Sequence, residues 1–226
     1  MLSFVLLSEK SWHENLFQDL NSEFSMCKWY FIRLKSDFNL KSLKEIQPDK
    51  IFIPHWSHMI SNEIFDNFEC VVFHMTDLPY GRGGSPLQNL IVRGHKETKI
   101  SALKVEQGLD TGPVYLKEKL SLVGNASEIF ERASVITGQM IKRIIKEGLS
   151  PLPQEGKPTV FKRRKSEDGN IRDLENIGQV YDYIRMLDAE GYPPAFLEFG
   201  NFKLEFSGVS TESEKTLLAN VRIIKK

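Results

Sequence analysis

A histidine, a glycine-rich loop and an aspartate between glycines are the groups in this chain best placed to do chemistry. Phe73-His74-Met75-Thr76-Asp77-Leu78-Pro79 runs into Gly81-Arg82-Gly83-Gly84-Ser85-Pro86, and Gly108-Leu109-Asp110-Thr111-Gly112 follows downstream. An imidazole donates, accepts or carries a proton near neutral pH, and a neighbouring carboxylate orients it. Cys70, Val71, Val72 and Phe73 make a short apolar run, as expected of a strand buried in a parallel sheet. His74 then falls at the carboxyl end of that strand, where open α/β sheets bind ligands. A lone histidine there is more often a hydrogen-bonded core residue, and a lone aspartate beside glycine a turn residue. The combination marks the candidate, not either residue alone.

The elements that must position these groups alternate. Residues 4–7 read as a first strand, 12–20 as a helix, 28–34 as a strand and 40–46 as a short helix. Residues 51–53 make a third strand that Pro54 should end; 60–65 read as helix and 70–73 as strand four. This succession predicts βαβ units and a Rossmann-like α/β fold with a mainly parallel sheet. Ser85-Pro86 suits a helix start, with Ser85 as N-cap and Pro86 at the first helical position. Residues 99–105 and 113–122 follow as strands, and 126–148 is the longest helix, closed by Gly148. A Pro/Gly-containing linker at 151–157 then divides a main domain, 1–150, from a small C-terminal α+β appendage, 151–226. Within the latter, 176–187 reads as helix, alternating strands around Gly200-Asn201 as a hairpin, and 217–224 as a last strand.

Composition narrows the class. The 226 residues suit one domain with an appendage. Thirty basic and thirty acidic residues cancel, which argues against a bulky polyanionic partner, although Lys162-Arg163-Arg164-Lys165 is a local basic candidate. No apolar run reaches the ~20 residues that span a bilayer, and the opening Met1-Leu2-Ser3-Phe4 lacks a basic leader, so a cytoplasmic protein is expected. Cys27 and Cys70 lie in apolar runs and read as reduced core thiols. His55, His58 and Glu63 are loosely spaced and joined by no cysteine, so no metal site is expected. The Gly81–Gly84 loop follows a Leu-Pro turn and lacks a Lys-Ser/Thr ending, unlike a phosphate-binding loop.

His74, Leu78-Pro79, Arg82-Gly83, Pro86-Leu87-Gln88 and Leu109-Asp110-Thr111-Gly112 resemble, in order and spacing, the folate-dependent formyltransferases. These include enzymes that act on methionyl-tRNA, glycinamide ribonucleotide and amino sugars. The resemblance covers residues 48–206 and is densest in the centre. It departs in one place: the family carries Asn two residues before the histidine, and Val72 stands there. Lys162 to Gly169 is similar to a segment of the sugar enzymes, and Tyr183-Ile184-Arg185-Met186-Leu187 with Gly191-Tyr192-Pro193 is similar to the opening of their C-terminal domain. The chain is shorter than a typical methionyl-tRNA enzyme, leaving no room for a full tRNA-binding barrel.

The resemblance implies formyl transfer from 10-formyltetrahydrofolate, a reaction that needs an oxyanion donor and a base. His74 and Asp110 are then the catalytic pair. Trp56, His58, Met59 and Ile60, the turn Thr76, Asp77, Leu78 and Pro79, and Gln107 and Leu109 would hold the folate, the three segments converging at one sheet edge. Arg82 and Gly83 would face the acceptor. His55, His58, Thr76 and Asn89 are candidates to replace the missing Asn. Small size, neutral charge and the 162–169 segment favour a small-molecule amino sugar, nucleotide-linked, as acceptor. They speak against nucleic acid and membrane, and a homodimer is compatible. Two other readings stay open: formylation of a carrier- or tRNA-bound amino acid, and a non-catalytic folate- or nucleotide-sugar-binding protein.

Overall fold

The computed structural model describes residues 1–226. Along the chain run β1 (Ser3–Ser8), α1 (His13–Glu23), β2 (Lys28–Ile32), α2 (Leu40–Ile46), β3 (Lys50–His55), α3 (Asn62–Phe65) and β4 (Cys70–His74). Then come β5 (Arg82–Gly83), α4 (Pro86–Ile91), β6 (Glu97–Lys104), β7 (Val114–Ser121) and α5 (Ala126–Glu147). β8 (Val160–Phe161), α6 (Ile177–Arg185), β9 (Ala195–Phe199), β10 (Phe202–Ser213) and β11 (Thr216–Lys225) complete the chain. They fall into two compact units.

The first unit, residues 1–82, 98–120 and 131–160, is built on a six-stranded sheet in the order β2-β1-β3-β4-β6-β7. β2, β1, β3 and β4 are parallel neighbours, and β6 runs antiparallel to β4. The fold is the mainly parallel α/β arrangement that alternation predicted. The strands read as unbroken apolar runs because both faces are covered. Val5, Leu7, Ile51, Ile53 and Cys70 bury one face with Phe38, Leu43, Ile64 and Phe68. On the other, Phe4 and Phe52 pack on Trp29, and Phe52 on Phe73. Each such fully buried side chain contributes roughly 1.5–3 kcal/mol.

Pro54 does not end β3. The strand continues to His55 because the register against β1 slips between Leu6↔Phe52 and Ser8↔His55. An extra residue is accommodated there, and a bulge is a place where proline is tolerated. Beyond the slip His55 pairs with Ser8 in register, and its ring lies beside the Trp12 ring (centroids 5.9 Å apart).

Next to it, His13 is buried with Nδ1 2.7 Å from the buried Ser8 Oγ. Burial, then the charges of His55 and Lys10, push its pKa from 6.5 down to about 3. The unfolded chain therefore takes up this proton first. The neutral ring's contribution is intact above pH 6.5 and is lost as pH falls toward 3, by up to about 1.4 kcal/mol per unit. Urea midpoints at pH 7 and pH 5 should differ more for wild type than for His13→Asn, which keeps a partner for Ser8 Oγ. Equal differences would remove His13 from the acid limb.

Cys70 is buried, and burial followed by the nearby Glu69 charge pushes its thiol up to about 12. That suits an inert core group. Cys27 precedes β2 and is only half-buried, so it is not the core thiol expected. No helix is long and apolar enough to cross a membrane.

The second unit gathers residues 83–97, 121–130 and 161–226. Its antiparallel sheet has the order β11-β10-β9, and Phe199 pairs with Phe202 across Gly200-Asn201, the predicted hairpin. Asn176 caps α6, accepting from Gln179 N–H at 2.9 Å. Arg185 is buried and donates to the carbonyls of Leu122 and Gly124 (2.7 and 2.8 Å). Ser85 occupies the N-cap position of α4, but its side chain makes no capping bond. Its backbone is left-handed (φ 51°), and its Oγ accepts instead from Arg164 N–H at 3.0 Å; Pro86 does open the helix.

Candidate active site

His74 ends β4 and is nearly buried. Its Nε2 lies 2.8 Å from the carbonyl oxygen of Gly81, which also accepts from Thr76 Oγ1 at 3.3 Å. A carbonyl only accepts, so Nε2 carries the hydrogen. Nδ1 is the nitrogen left to exchange a proton, and it faces Asp110 Oδ2 at 3.6 Å. The histidine is 7% exposed and the aspartate 17%. The structure thus brings the two predicted catalytic residues together.

The 76–79 turn is pinned from β6 and β7. Ser101 Oγ, fully buried, donates to Thr76 O (2.7 Å) and accepts from Leu78 N–H (3.2 Å). The Asp77 carboxylate sits between Lys117 Nζ (2.6 Å) and Lys99 Nζ (2.9 Å). Burial raises this carboxyl, but the two ammonium groups outweigh it and hold the pKa below the usual carboxylate range. Asp77 therefore stabilises the turn through its side chain. Leu78 and Pro79 are buried, joined by a cis peptide.

Asp110 reaches the site by an unexpected route. Register pairs Val71 with Lys104 and His74 with Ser101, so the 105–113 loop leaves the sheet at the amino end of β4. There Val105 N–H donates to Cys70 O at 2.8 Å. The three folate-loop candidates therefore do not all follow strands to one edge; antiparallel β6 reverses this one, and the loop folds back along β4. Its path uses left-handed backbone at Asp110 (φ 52°) and a close approach at Gly112. A Cβ there would lie 1.8 Å from Lys104 O. Gln107 and Leu109 are exposed on this loop.

The 151–157 segment is not a mere linker. Leu152 exchanges backbone hydrogen bonds with Val114 (2.7 and 2.9 Å). Gln154 Nε2 donates to the carbonyls of Asp110 and Gly112, both at 2.8 Å, and its Oε1 accepts from Arg82 Nη2 (2.8 Å) and Nε (3.2 Å). Ser101 and Gln154 escaped the sequence reading. A serine within a strand pattern and a glutamine in a Pro/Gly stretch carry no periodic or motif signal.

After β3, the Trp56 indole is half-buried, edge-on to Phe38 (5.9 Å) and His58 (5.3 Å). Ile60, like Trp56, packs against the apolar cluster, while Met59 is 78% exposed. His58 Nε2 is 3.8 Å from Glu9 Oε2, and Glu9 also accepts from Ser57 Oγ at 2.5 Å. Val72 stands in register between Ile53 and Leu103 and packs on the apolar cluster. The candidates to replace the missing Asn already have partners. His55 lies edge-on to Trp12, His58 faces Glu9, and Thr76 Oγ1 donates to the Gly81 carbonyl that also holds His74. Asn89, in the second unit, donates to the carbonyls of Gly84, Ser85 and Lys162. No cluster of acidic, histidine or cysteine side chains suits a metal ion.

Residues 20–133 match the formyl transferase family, and residues 166–224 the methionyl-tRNA formyltransferase C-terminal domain. The methionyl-tRNA formyltransferase of Thermodesulfovibrio yellowstonii is 28% identical over 161 residues, 68% of this chain and 52% of that one. That of Campylobacter jejuni is 27% identical over 202 residues, 85% of this chain and 64% of its own. The chain thus spans 52% to 64% of these curated relatives' lengths. Among solved structures, a methionyl-tRNA formyltransferase from Clostridium thermocellum superposes with a TM-score of 0.97 at 47% identity, covering 100% of both chains. A Shewanella sugar N-formyltransferase (TM-score 0.70, 13% identity, 92% of this chain and 97% of that one) shares the fold. With the family's pattern matched over half its length and His74 and Asp110 facing one another, the chain belongs to the formyl transferase family.

Proposed function

We propose that this chain transfers a formyl group from 10-formyltetrahydrofolate to the α-amine of a tRNA-bound amino acid, methionine by likeness to its relatives. The observation that carries the chemistry is the His74–Asp110 pair, 3.6 Å apart with the other ring nitrogen fixed on Gly81 O. The acceptor follows from the methionyl-tRNA formyltransferases, above all the Clostridium thermocellum chain of equal extent. These relatives overturn the amino-sugar acceptor and the expectation that nucleic acid is not a partner.

The physical reasons are plain. Net charge is a sum over the whole surface and says nothing of a local groove. Short length does not discriminate, since the Clostridium thermocellum chain shares it. The 162–169 segment folds on itself: Arg164 Nη2 donates to Asp168 O (2.7 Å) and Lys165 N–H to Asp168 Oδ2 (2.8 Å). These bonds make it a folded charged turn, and local folding of that kind does not by itself select an acceptor.

The folate would supply the formyl carbon. The residues present suit it: exposed Met59 and Leu109 offer apolar surface to a flat ring, and the 56–60 and 76–79 backbones offer polar edges. Proton traffic is confined to Nδ1 and Asp110, because Nε2–H is committed to Gly81 O. The attacking amine's proton would pass by way of Asp110 to Nδ1 of His74, 3.6 Å away; the imidazolium so formed would stabilise the negative charge developing on the formyl oxygen and give that proton to the departing folate nitrogen. A cytoplasmic setting fits the two free thiols.

The test is incubation with 10-formyltetrahydrofolate and, in parallel, methionyl-tRNA, uncharged tRNA and nucleotide-linked amino sugars, read by mass spectrometry. Formyl-methionine released from the charged tRNA alone is expected. Formylation of a sugar amine, with the charged tRNA untouched, would refute the reading.

A further inference from the structure

Gln154 makes four hydrogen bonds that admit only one arrangement. Arg82 can only donate, so the amide oxygen must face it; the carbonyls of Asp110 and Gly112 can only accept, so both Nε2 hydrogens must face them. The amide thereby ties the Arg82 loop to the backbone of Asp110. That backbone is left-handed, at φ 52°, a conformation a non-glycine residue keeps only when its surroundings hold it. The hold comes from both sides. Leu152 is paired with Val114, Arg82 N–H donates to Thr159 O (2.9 Å) and Thr159 N–H to Pro79 O (3.1 Å), so Gln154 is presented from a fixed segment.

We propose that Gln154 is a positioning residue: its amide locks the Asp110 carbonyl so that the carboxylate faces His74 Nδ1, and Arg82 fixes the amide's orientation. The proposal rests on the functional reading above.

The informative variant is Gln154→Glu. A carboxylate still pairs with Arg82 but turns an oxygen toward the carbonyls of Asp110 and Gly112. We expect kcat to fall roughly 10- to 100-fold, the scale of coupled neighbours, with KM for the folate changed by less than about threefold. In the Asp110→Asn background the same substitution should cost less than about threefold more. The thermal midpoint controls for folding. The 15N signals of the His74 ring supply a readout independent of turnover, and they should shift in Gln154→Glu. Wild-type kcat in Gln154→Glu, or an equal loss in both backgrounds with His74 signals unmoved, would overturn the proposal. If the wild-type chain formylates no tRNA, the functional reading falls, and the His74 signals alone decide the role of Gln154.

Discussion

Replacing His74 with asparagine is expected to lower kcat for formyl transfer by about 10²–10⁴-fold, the scale of a positioned acid–base group. Asparagine can offer one hydrogen to Gly81 O, 2.8 Å from the present Nε2, but it cannot also present an exchangeable nitrogen to Asp110. Asp110→Asn should cost a comparable factor. The double variant should be little worse than His74→Asn alone, because groups that act as a unit lose their effect together. Steady-state turnover decides this once circular dichroism shows the variants folded. Losses that multiply would mean the two residues act separately.

Gly112→Ala is expected to damage stability and turnover together. The added Cβ would lie 1.8 Å from the Lys104 carbonyl oxygen, a backbone atom of β6 that cannot swing aside. Overpacking alone costs about 1–3 kcal/mol, and a backbone clash should reach or exceed the upper end. Asp110 is two residues away, so relief of the clash moves it off His74. Gly94→Ala is the control: its φ of +79° is strained for alanine, but nothing lies within 4 Å. Urea denaturation should show a distinctly larger loss for Gly112→Ala, together with lower kcat. Equal losses would mean that the loop yields freely.

Much of this was legible in the sequence. Strand–helix alternation announced the parallel sheet, and Gly200-Asn201 between alternating runs announced the hairpin that the register confirms. The His74–Asp110 pairing was legible through the family resemblance, and the structure brings the two side chains within 3.6 Å. What stayed hidden depends on long-range pairing. Nothing local says that β6 runs antiparallel to β4, so the direction from which Asp110 arrives could not be read. The β1–β3 slip that lets the strand run past Pro54 to His55 is a property of two strands, not of Pro54 alone. Gln154 acts through partners 42, 44 and 72 residues away. The acceptor was misread because total charge and length are global quantities, whereas recognition is local.

A crystal structure with tetrahydrofolate bound tests the central claim most directly. The account predicts the pterin against residues 56–60 and the 76–79 turn, with N10 close enough to His74 and Asp110 for a formyl group on it to reach them at ~2.6–3.2 Å or through one water. Folate bound elsewhere, with the His74–Asp110 pair remote from N10, would contradict it.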